Sequence, residues 1–272
     1  MRSDALPPDW LIPDWPAPPG VRALCTTRHG GFSVAPYDRM NLGDHVGDVP
    51  ARVAANRALL SQSAGAAPVF LRQVHGTSVL TLDGSTADGR QADAAITTQR
   101  GVACTIMVAD CLPVLLTNID GTAVAAAHAG WRGLAGRQGR GVLEEVYDGF
   151  CALSIVDKAQ EAIKIIAWLG PCIGPSAFEV GPEVRAAFVA GDAQAARCFR
   201  PHGPGKYLAD LPGLARLRLQ AMGITRIHGN DGSAPWCTVG NSSRFFSHRR
   251  DAGVQGNGFN TTGRMAACIW RE

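Results

Sequence analysis

The sequence predicts a mixed α/β fold: a single domain in which layered, mixed β-sheets are flanked by helices. Continuous apolar runs of strand length, such as VACTIMV and AVAAAHA, are typical of strands that are buried on both faces. These runs alternate with longer segments that carry helix start and stop signals. The 272 residues contain no internal repeat or low-complexity linker, and 46% of them are hydrophobic. A chain of this length and composition can bury one large core.

The first part of the chain, residues 1–20, is rich in proline, and we expect it to form an extended arm ahead of one domain that spans residues 21–272. VRALC predicts the first strand of that domain. A helix follows, with Pro50 near its start and Gly65 beyond its end.

The middle of the chain predicts strands at PVFLRQV, GTSVLTL, ADAAITTQ, GVACTIMV, LPVLLTN and TAVAAAHAG. Two of the connections are short. One is a break at His75–Gly76, and the other lies at Asp110–Cys111. Pro113 argues against a regular central strand through the second connection, because proline cannot donate to a strand ladder.

The remaining elements alternate between helices and strands. GRGVLEEVYDGF and GPEVRAAFVAG predict helices, with the strand AIKIIAWLGP between them. A further helix takes Asp210 as its N-cap, carries Pro212 in its first turn and ends before Gly223. RMAACIW predicts the final strand.

The charge pattern narrows the class of partner. The net charge is +3 without a long basic run, which argues against nucleic acid and membrane surfaces but allows a small anionic substrate. The longest apolar stretch is too short to cross a bilayer, and no segment resembles a signal peptide. The eight cysteines form no CxxC pair. We therefore expect a cytoplasmic protein, and a monomer is the default.

Three metal-capable side chains follow predicted strands, at VHG, ADC and HAG: His75, Cys111 and His128. Two imidazoles and a thiolate suit a zinc site with one open position, which can polarise a carbonyl or lower the pKa of a water. The same residues also suit a Cys–His nucleophilic pair. No local motif joins them, so a turn histidine, a core thiol and a satisfied buried histidine remain equally good interpretations.

Other polar residues have two interpretations each. Asp110 would orient a histidine or bond to turn amides. Arg132 would bind an anion or stack on Trp131. Arg28 and Asn41 belong to a dense polar stretch, TTRHGGFSVAPYDRMNLGDHVGD, that would line a site or form an ordered surface loop. Near the C-terminus, three arginines would meet an anion or solvent: Arg249, Arg250 and Arg264.

Several of these stretches together resemble the YfiH/YlmD family, whose members have been described as laccase-domain or multicopper polyphenol oxidase-like proteins and as purine nucleoside phosphorylases. They are TTRHGGFSVAPYDRMNLGDHVGD, LRQVHGTSV, ADAAIT, ADCLPVLL, AAAHAGWRG, LGPCIGPSAFEVGPEV and FFSHRRD…TGRMAA. The resemblance runs from about Val21 to the C-terminus, in family order. Only the proline-rich arm falls outside it.

The resemblance implies a fold similar to that of toxin deamidases with a Cys–His site. It implies that His75, Cys111 and His128 bind one Zn²⁺, or copper, and carry catalysis. It implies phosphorolysis of adenosine, inosine and methylthioadenosine, with adenosine deamination as a side activity. A purine nucleoside and phosphate are then the partners, and Arg28, Asn41 and Arg132 are the candidate substrate-binding residues.

Two departures from the family pattern put substrate preference in question. Residues Val254 to Thr262 form a lengthened link, and His248 stands where a tyrosine is usual. Alternatives also stay open. A metal-free Cys111–His128 amide hydrolase would suit the editing of a muramyl-serine peptidoglycan precursor. A copper-dependent polyphenol oxidase is disfavoured because seven histidines are too few for multicopper centres. A structural zinc is disfavoured because only three good ligands exist.

Overall fold

The computed structural model describes residues 7, 9–154, 164–252 and 261–272. Within them, thirteen strands form three sheets. The strands are β1 (Val21–Cys25), β2 (Ala67–Phe70), β3 (Val79–Thr81), β4 (Ala94–Thr97), β5 (Val102–Val108), β6 (Leu112–Asn118), β7 (Val124–Ala129), β8 (Ile165–Leu169), β9 (Glu179–Val180), β10 (Phe199–Pro201), β11 (Tyr207–Ala209), β12 (Arg226–Gly229) and β13 (Met265–Arg271).

The same residues form six α-helices and two 3₁₀ helices. The α-helices are α1 (Pro50–Ala64), α2 (Trp131–Ala135), α3 (Val142–Ser154), α4 (Pro182–Val189), α5 (Leu211–Ala221) and α6 (His248–Asp251). The 3₁₀ helices are Ala193–Cys198 and Ala234–Trp236. None of the described helices is long and apolar enough to cross a membrane.

Two mixed sheets pack face to face and form the middle of the molecule. One has the strand order β1-β13-β5-β2, and the other has the order β12-β8-β6-β7-β4-β3. The core between them joins Ile106 and Ala267 of the first sheet to Leu115 and Trp168 of the second. Alternate residues of β5 face opposite ways, because a strand has a side-chain period of two. Met107 accordingly belongs to a different core cluster from Ile106.

Helices cover both outer faces of this pair. Leu60 of α1 packs with the outer face of the four-stranded sheet. Helices α2 to α5 cover the outer face of the six-stranded sheet through buried residues such as Leu134, Phe150 and Leu214. The predicted fold class, layered mixed sheets flanked by helices, is therefore confirmed.

The connection at Asp110–Cys111 is a strand break, as the sequence indicates, but Pro113 lies inside the central strand β6. Its carbonyl accepts a hydrogen bond from Gly170 N, just past the end of β8. In a regular ladder, the N–H of residue 113 would donate a hydrogen bond to the Gly170 carbonyl. Here that carbonyl accepts a hydrogen bond from Asn230 Nδ2 at 2.9 Å. An asparagine side chain thus replaces the ladder bond that proline cannot make.

The N-terminal arm packs against the domain over its described part. Trp10 is buried among residues of the four-stranded sheet and α1, and Leu11 exchanges two backbone hydrogen bonds with Cys25. The small sheet β10-β11-β9 and the edge strand β12 were not predicted. Their strands have two to four residues, too few to show a hydrophobic period.

Candidate functional site

His75, Cys111 and His128 lie together at one end of the two packed sheets. His75 is in the loop after β2, Cys111 immediately precedes β6, and His128 is the penultimate residue of β7. Their ligand atoms all lie within 4.8 Å of one another. The Cys111 Sγ and His75 Nε2 atoms are 3.6 Å apart, and the two imidazole rings are 4.7 Å apart between centroids. The structure therefore brings the three predicted residues into one cluster.

Asp93, just before β4, fixes two members of this cluster. Its buried carboxylate contacts His128 Nδ1 at 2.9 Å and accepts from the backbone N–H groups of Val74, His75 and Gly76. His75 has a φ of 60°, a conformation that is rare for residues other than glycine. The hydrogen bonds from these three backbone N–H groups to Asp93 hold the loop in that conformation. Asp93 thus orients one imidazole directly and the other through its backbone.

The Asp93 carboxylate is ionised because its partners outweigh its burial. Burial raises the pKa of Asp93, but the hydrogen bonds from His128 and from Gly76 N, with the charge of His128, lower it below its usual value. Asp93 belongs to the ADAAIT stretch, but its role could not be recognised from the sequence. Its only local signal is an aspartate before a buried strand, which is also typical of an ordinary turn.

Two glycines make room for the cluster. A Cβ at Gly130 would lie 2.9 Å from Cys111 Sγ and 2.9 Å from His75 Cδ2. A Cβ at Gly133 would lie 2.6 Å from the carbonyl oxygen of Gly76. A larger side chain at Gly130 would displace Cys111 or His75, and one at Gly133 would displace the backbone after His75, so the glycines allow close approach at the site.

The cluster stabilises a cysteine thiolate. Burial raises the pKa of Cys111. The charge of His128 and the hydrogen bonds with His128 and His75 outweigh this effect and lower the pKa to about 6. Burial lowers the pKa of His128, but Cys111 and Asp93 raise it to about 9. By contrast, burial raises the pKa of Cys268, in β13, to about 12. Cys111 is therefore chemically distinct from the core thiols.

The donor set fits one metal ion. Because Asp93 engages His128 Nδ1, the Nε2 atom of that ring is available as a ligand, and a carboxylate behind a ligating imidazole is the usual arrangement. Two imidazole nitrogens and a thiolate suit Zn²⁺ and also accept copper. Three protein ligands are typical of catalytic zinc sites, whereas structural sites have four.

The cluster opens into a cavity of about 500 Å³. The polar and charged lining residues are His45, Gln73, His75, Asp110, Cys111, His128, Arg132, His248, Arg249 and Arg264. The apolar ones are Met107, Val108, Ala109, Trp131, Ile173, Phe178 and Leu211. The cavity thus combines flat aromatic surface with three guanidinium groups against one carboxylate, which suits a ligand with an apolar ring and an anionic group.

Asp110 lines the cavity, and its carboxylate is hydrogen-bonded within the protein. It has a φ of 90°, and its two carboxylate oxygens accept hydrogen bonds from the Thr238 hydroxyl and from Arg249 N, each at 2.6 Å. The hydrogen bond to a backbone amide agrees with the second of its two predicted roles. The carboxylate that contacts a histidine is Asp93.

Of the three candidate substrate-binding residues, Arg132 lines the cavity. Its guanidinium lies 4.5 Å from the centroid of the Trp131 ring, which agrees with the predicted stacking. Arg28 and Asn41 lie outside the lining. Arg28 donates to the carbonyl oxygens of Asp38 and Ser242.

Asn41 is fully buried, and the protein itself satisfies its amide. Asn41 Nδ2 donates to Gly43 O and Asp48 Oδ2, and Oδ1 accepts from Gly43 N and Arg264 N. His248, where the sequence departs from the family pattern, is exposed at the cavity. Residues 254–260 of the lengthened link lie outside the described residues.

Comparison with known proteins gives consistent matches over nearly the whole chain. The family described as multi-copper polyphenol oxidoreductase laccase matches residues 22–272. Purine nucleoside phosphorylase YfiH of Escherichia coli is 48% identical over 262 residues, which are 96% of this chain and 98% of that protein. A purine nucleoside phosphorylase of Pseudomonas aeruginosa is 47% identical over 264 residues, which are 97% of this chain and 98% of that protein.

Two crystal structures have a similar fold. One, of a Neisseria meningitidis protein, gives a TM-score of 0.83 at 42% identity and covers 97% of this chain and 99% of that chain. The other, of YlmD from Geobacillus stearothermophilus, gives a TM-score of 0.81 at 30% identity and covers 97% of this chain and 96% of that chain. The similarity therefore includes both sequence and three-dimensional structure.

Proposed function

Because the chain belongs to the YfiH/YlmD family of laccase-like proteins, we propose that it is a zinc-dependent purine nucleoside phosphorylase. Its substrates would be adenosine, inosine and methylthioadenosine, with adenosine deamination as a side activity. The names of the relatives support the reaction class. The single observation that supports the site is the three-ligand cluster at a cavity with aromatic and cationic walls.

In this proposal His75, Cys111 and His128 hold the metal, and Asp93 keeps His128 in one orientation and one tautomer. When bound, the metal supplies a Lewis acid beside the substrate. Copper is the alternative ion for the same donors. The low pKa of Cys111 supports this assignment, because a coordinating cysteine must be a thiolate.

Different residues of the cavity wall would bind the purine and the phosphate. Trp131 and Phe178 offer ring faces for the purine, and Arg132 supplies positive charge for phosphate. In phosphorolysis a phosphate oxygen forms a bond to the anomeric carbon of the ribose, while the bond from that carbon to the purine nitrogen breaks. The base leaves with a proton, which balances the proton that hydrogen phosphate loses as it becomes the ester, and ribose 1-phosphate is the second product. The protein contributes by positioning the two reactants.

Arg28 and Asn41 have an indirect role in this scheme, because the protein's own groups engage them. Arg28 ties the loop at Asp38 to the segment at Ser242. Asn41 holds the backbone of Arg264, which does line the cavity. A direct substrate contact by either residue would require these bonds to break.

The test starts from protein purified without a histidine tag. Bound metal is measured, and inosine is assayed with and without phosphate. We expect base release only with phosphate, and we expect its loss on chelation and in His75→Ala. His202→Ala is the matched control, because His202 is exposed and lies outside the cavity lining. Full activity in His75→Ala would reject the site.

One observation favours a second candidate, a Cys–His amide hydrolase acting on a muramyl-serine precursor. Cys111 Sγ lies 3.6 Å from His75 Nε2, and its pKa is low enough for a nucleophilic thiolate. Amide release that is abolished by thiol alkylation but insensitive to chelation would identify this activity. A multicopper oxidase has less support, since the described residues contain a single cluster of three metal-capable ligands.

The proposed enzyme would act in the cytoplasm as a monomer. Light scattering of the purified protein tests the monomer, and an active dimer that loses activity on dilution would contradict it.

A further inference from the structure

Of the three arginines that line the cavity, Arg132 and Arg249 are exposed, whereas Arg264 is half-buried and most of its guanidinium lacks a partner. Arg264 precedes β13. Its Nη1 atom donates to the carbonyl oxygens of Thr262, at 2.8 Å, and Gly263, at 3.3 Å. In the described part of the chain, no acceptor meets Nε or Nη2, and no carboxylate lies within ion-pair distance of the side chain.

Several other partly buried arginines of the described chain have carboxylate or carbonyl partners; Arg52, Arg185 and Arg244 do not, but they lie outside the cavity lining. Four of them contact a carboxylate, in the pairs Arg28–Asp38, Arg57–Asp44, Arg218–Glu144 and Arg250–Asp251. Arg216 has no such pair, but its two terminal nitrogens donate to three backbone carbonyls. Burying a guanidinium without a counter-ion costs free energy. At Arg264 an anion that enters the cavity would offset that cost.

The position of Arg264 is fixed before any ligand arrives. Its backbone N–H donates to Asn41 Oδ1 at 2.9 Å, and Asn41 is in turn held by Gly43 and Asp48. The aliphatic stem packs against Gly43, where a Cβ would lie 2.8 Å from Arg264 Cγ. A pre-positioned donor loses little conformational entropy on binding.

The electrostatic surroundings keep this side chain positively charged. Burial lowers the pKa of Arg264, whereas Cys111 and Asp110 raise it, and an arginine keeps its charge in either case. Both oxygens of Asp110 are already occupied by Thr238 and Arg249 N. The nearest carboxylate of the cavity wall is thus engaged elsewhere, and the guanidinium retains free donors.

We propose that Arg264 is the main binding residue for a tetrahedral oxyanion in this cavity, and that this oxyanion is inorganic phosphate. The Nε–H and Nη2–H groups of a guanidinium form a fork that matches two phosphate oxygens. The identification of the phosphate as the attacking reactant rests on the proposed function. The anion site itself rests on the geometry of Arg264.

The test measures binding of inorganic phosphate by calorimetry at constant ionic strength, with metal-loaded protein. We expect Arg264→Gln to raise the dissociation constant about 10-fold to 100-fold, as for the loss of charged hydrogen bonds. Arg264→Lys keeps the charge but not the fork, and it should bind with intermediate affinity. Arg226→Gln is the matched control, since Arg226 is exposed on β12 and lies outside the cavity.

A second variant leaves the charge in place. Gly43→Ala should displace the Arg264 stem and weaken phosphate binding without removing the guanidinium. If Arg264→Gln does not fold, phosphate binding by Gly43→Ala and Arg264→Lys tests the proposal instead. Wild-type protein that fails to bind millimolar phosphate would overturn the proposal, and so would unchanged binding in the Arg264 variants.

Kinetics separates this proposal from the proposed function. If phosphate binds through Arg264 but inosine is not cleaved, the anion site stands and the phosphorylase assignment fails. If inosine is cleaved and Arg264→Gln leaves the KM for phosphate unchanged, the phosphorylase stands and the anion site fails. When both hold, Arg264→Gln raises the KM for phosphate and leaves the KM for inosine near its wild-type value.

Discussion

Two polar regions of this chain look alike in the sequence and differ in the structure. One is the metal cluster, which we define as His75, Cys111 and His128. The other is the polar loop, residues 27–49, which contains Asn41. In the polar loop, buried side chains satisfy one another, as in the bond of Asn41 Nδ2 to Asp48 Oδ2. In the metal cluster, the donor atoms converge at a cavity.

The difference shows what marks a site. Both regions combine polar side chains with permissive turns, which the sequence reveals. They differ in whether their hydrogen-bonding and donor atoms are paired within the protein or face a cavity. A loop whose buried groups are all paired supports its neighbours, whereas a cluster that leaves donor atoms open to a cavity can take a ligand.

The largest effect is expected from a change within the metal cluster. Cys111→Ala should abolish bound metal and reduce phosphorolysis more than about 100-fold, since losing a ligand costs more than losing the residue behind it. Metal analysis and the inosine assay measure both effects. Cys151→Ala is the control, because Cys151 is a half-buried thiol of α3 outside the cavity. Wild-type metal content in Cys111→Ala would contradict the assignment.

Asp93→Asn should weaken metal binding by about 10-fold to 100-fold, because the residue behind a ligating histidine sets its tautomer and orientation. The asparagine keeps the size of the side chain but replaces one acceptor oxygen with a donor. Competition with a metal-binding dye measures the affinity. A variant with wild-type affinity and wild-type stability would show that Asp93 serves folding of the loop alone.

Gly130→Ala tests the packing of the metal cluster. A Cβ would lie 2.9 Å from both Cys111 Sγ and His75 Cδ2, so one of them must move. Overpacking of this kind costs about 1–3 kcal/mol, and we expect it to appear as weaker metal binding of about fivefold or more. Gly84→Ala is the control, because nothing lies within 4 Å of a Cβ there.

The smallest effect on activity is expected in the polar loop. Asn41→Ala removes four hydrogen bonds of a buried side chain and should lower the free energy of unfolding by about 2–4 kcal/mol. The metal content of the folded protein should not change, and the KM for phosphate should rise less than in Arg264→Gln. Denaturant unfolding and kinetics measure these effects. A large rise in the KM for the nucleoside, without loss of stability, would restore the direct role that the sequence suggested.

The fold was largely predictable because its main elements are long and regular. The strands β5 and β7 are continuous apolar runs, and α5 carries the predicted N-cap, with Asp210 accepting from Gly213 N. The small sheet β10-β11-β9 could not be predicted, since two-residue and three-residue strands carry no period.

The metal cluster was predictable in part. Each of its members lies near the end of a predicted strand or at a predicted break, and the family resemblance, now confirmed, joins them. Asp93 was missed because its role depends on an imidazole and three amides that are distant in the sequence. Arg264 could not be distinguished from Arg250, since only the structure shows that Arg250 pairs with Asp251 and Arg264 does not pair with a described carboxylate.

The bonding of Asp93 has a consequence for protein engineering. A designer who transplanted only His75, Cys111 and His128 into another scaffold would move the ligands without the part that aligns them. The smallest transferable unit also includes Asp93, which joins the loop of His75 to the ring of His128, and Gly130, which admits both ligands. This three-ligand centre is a five-residue module, assembled from four separate segments of the chain.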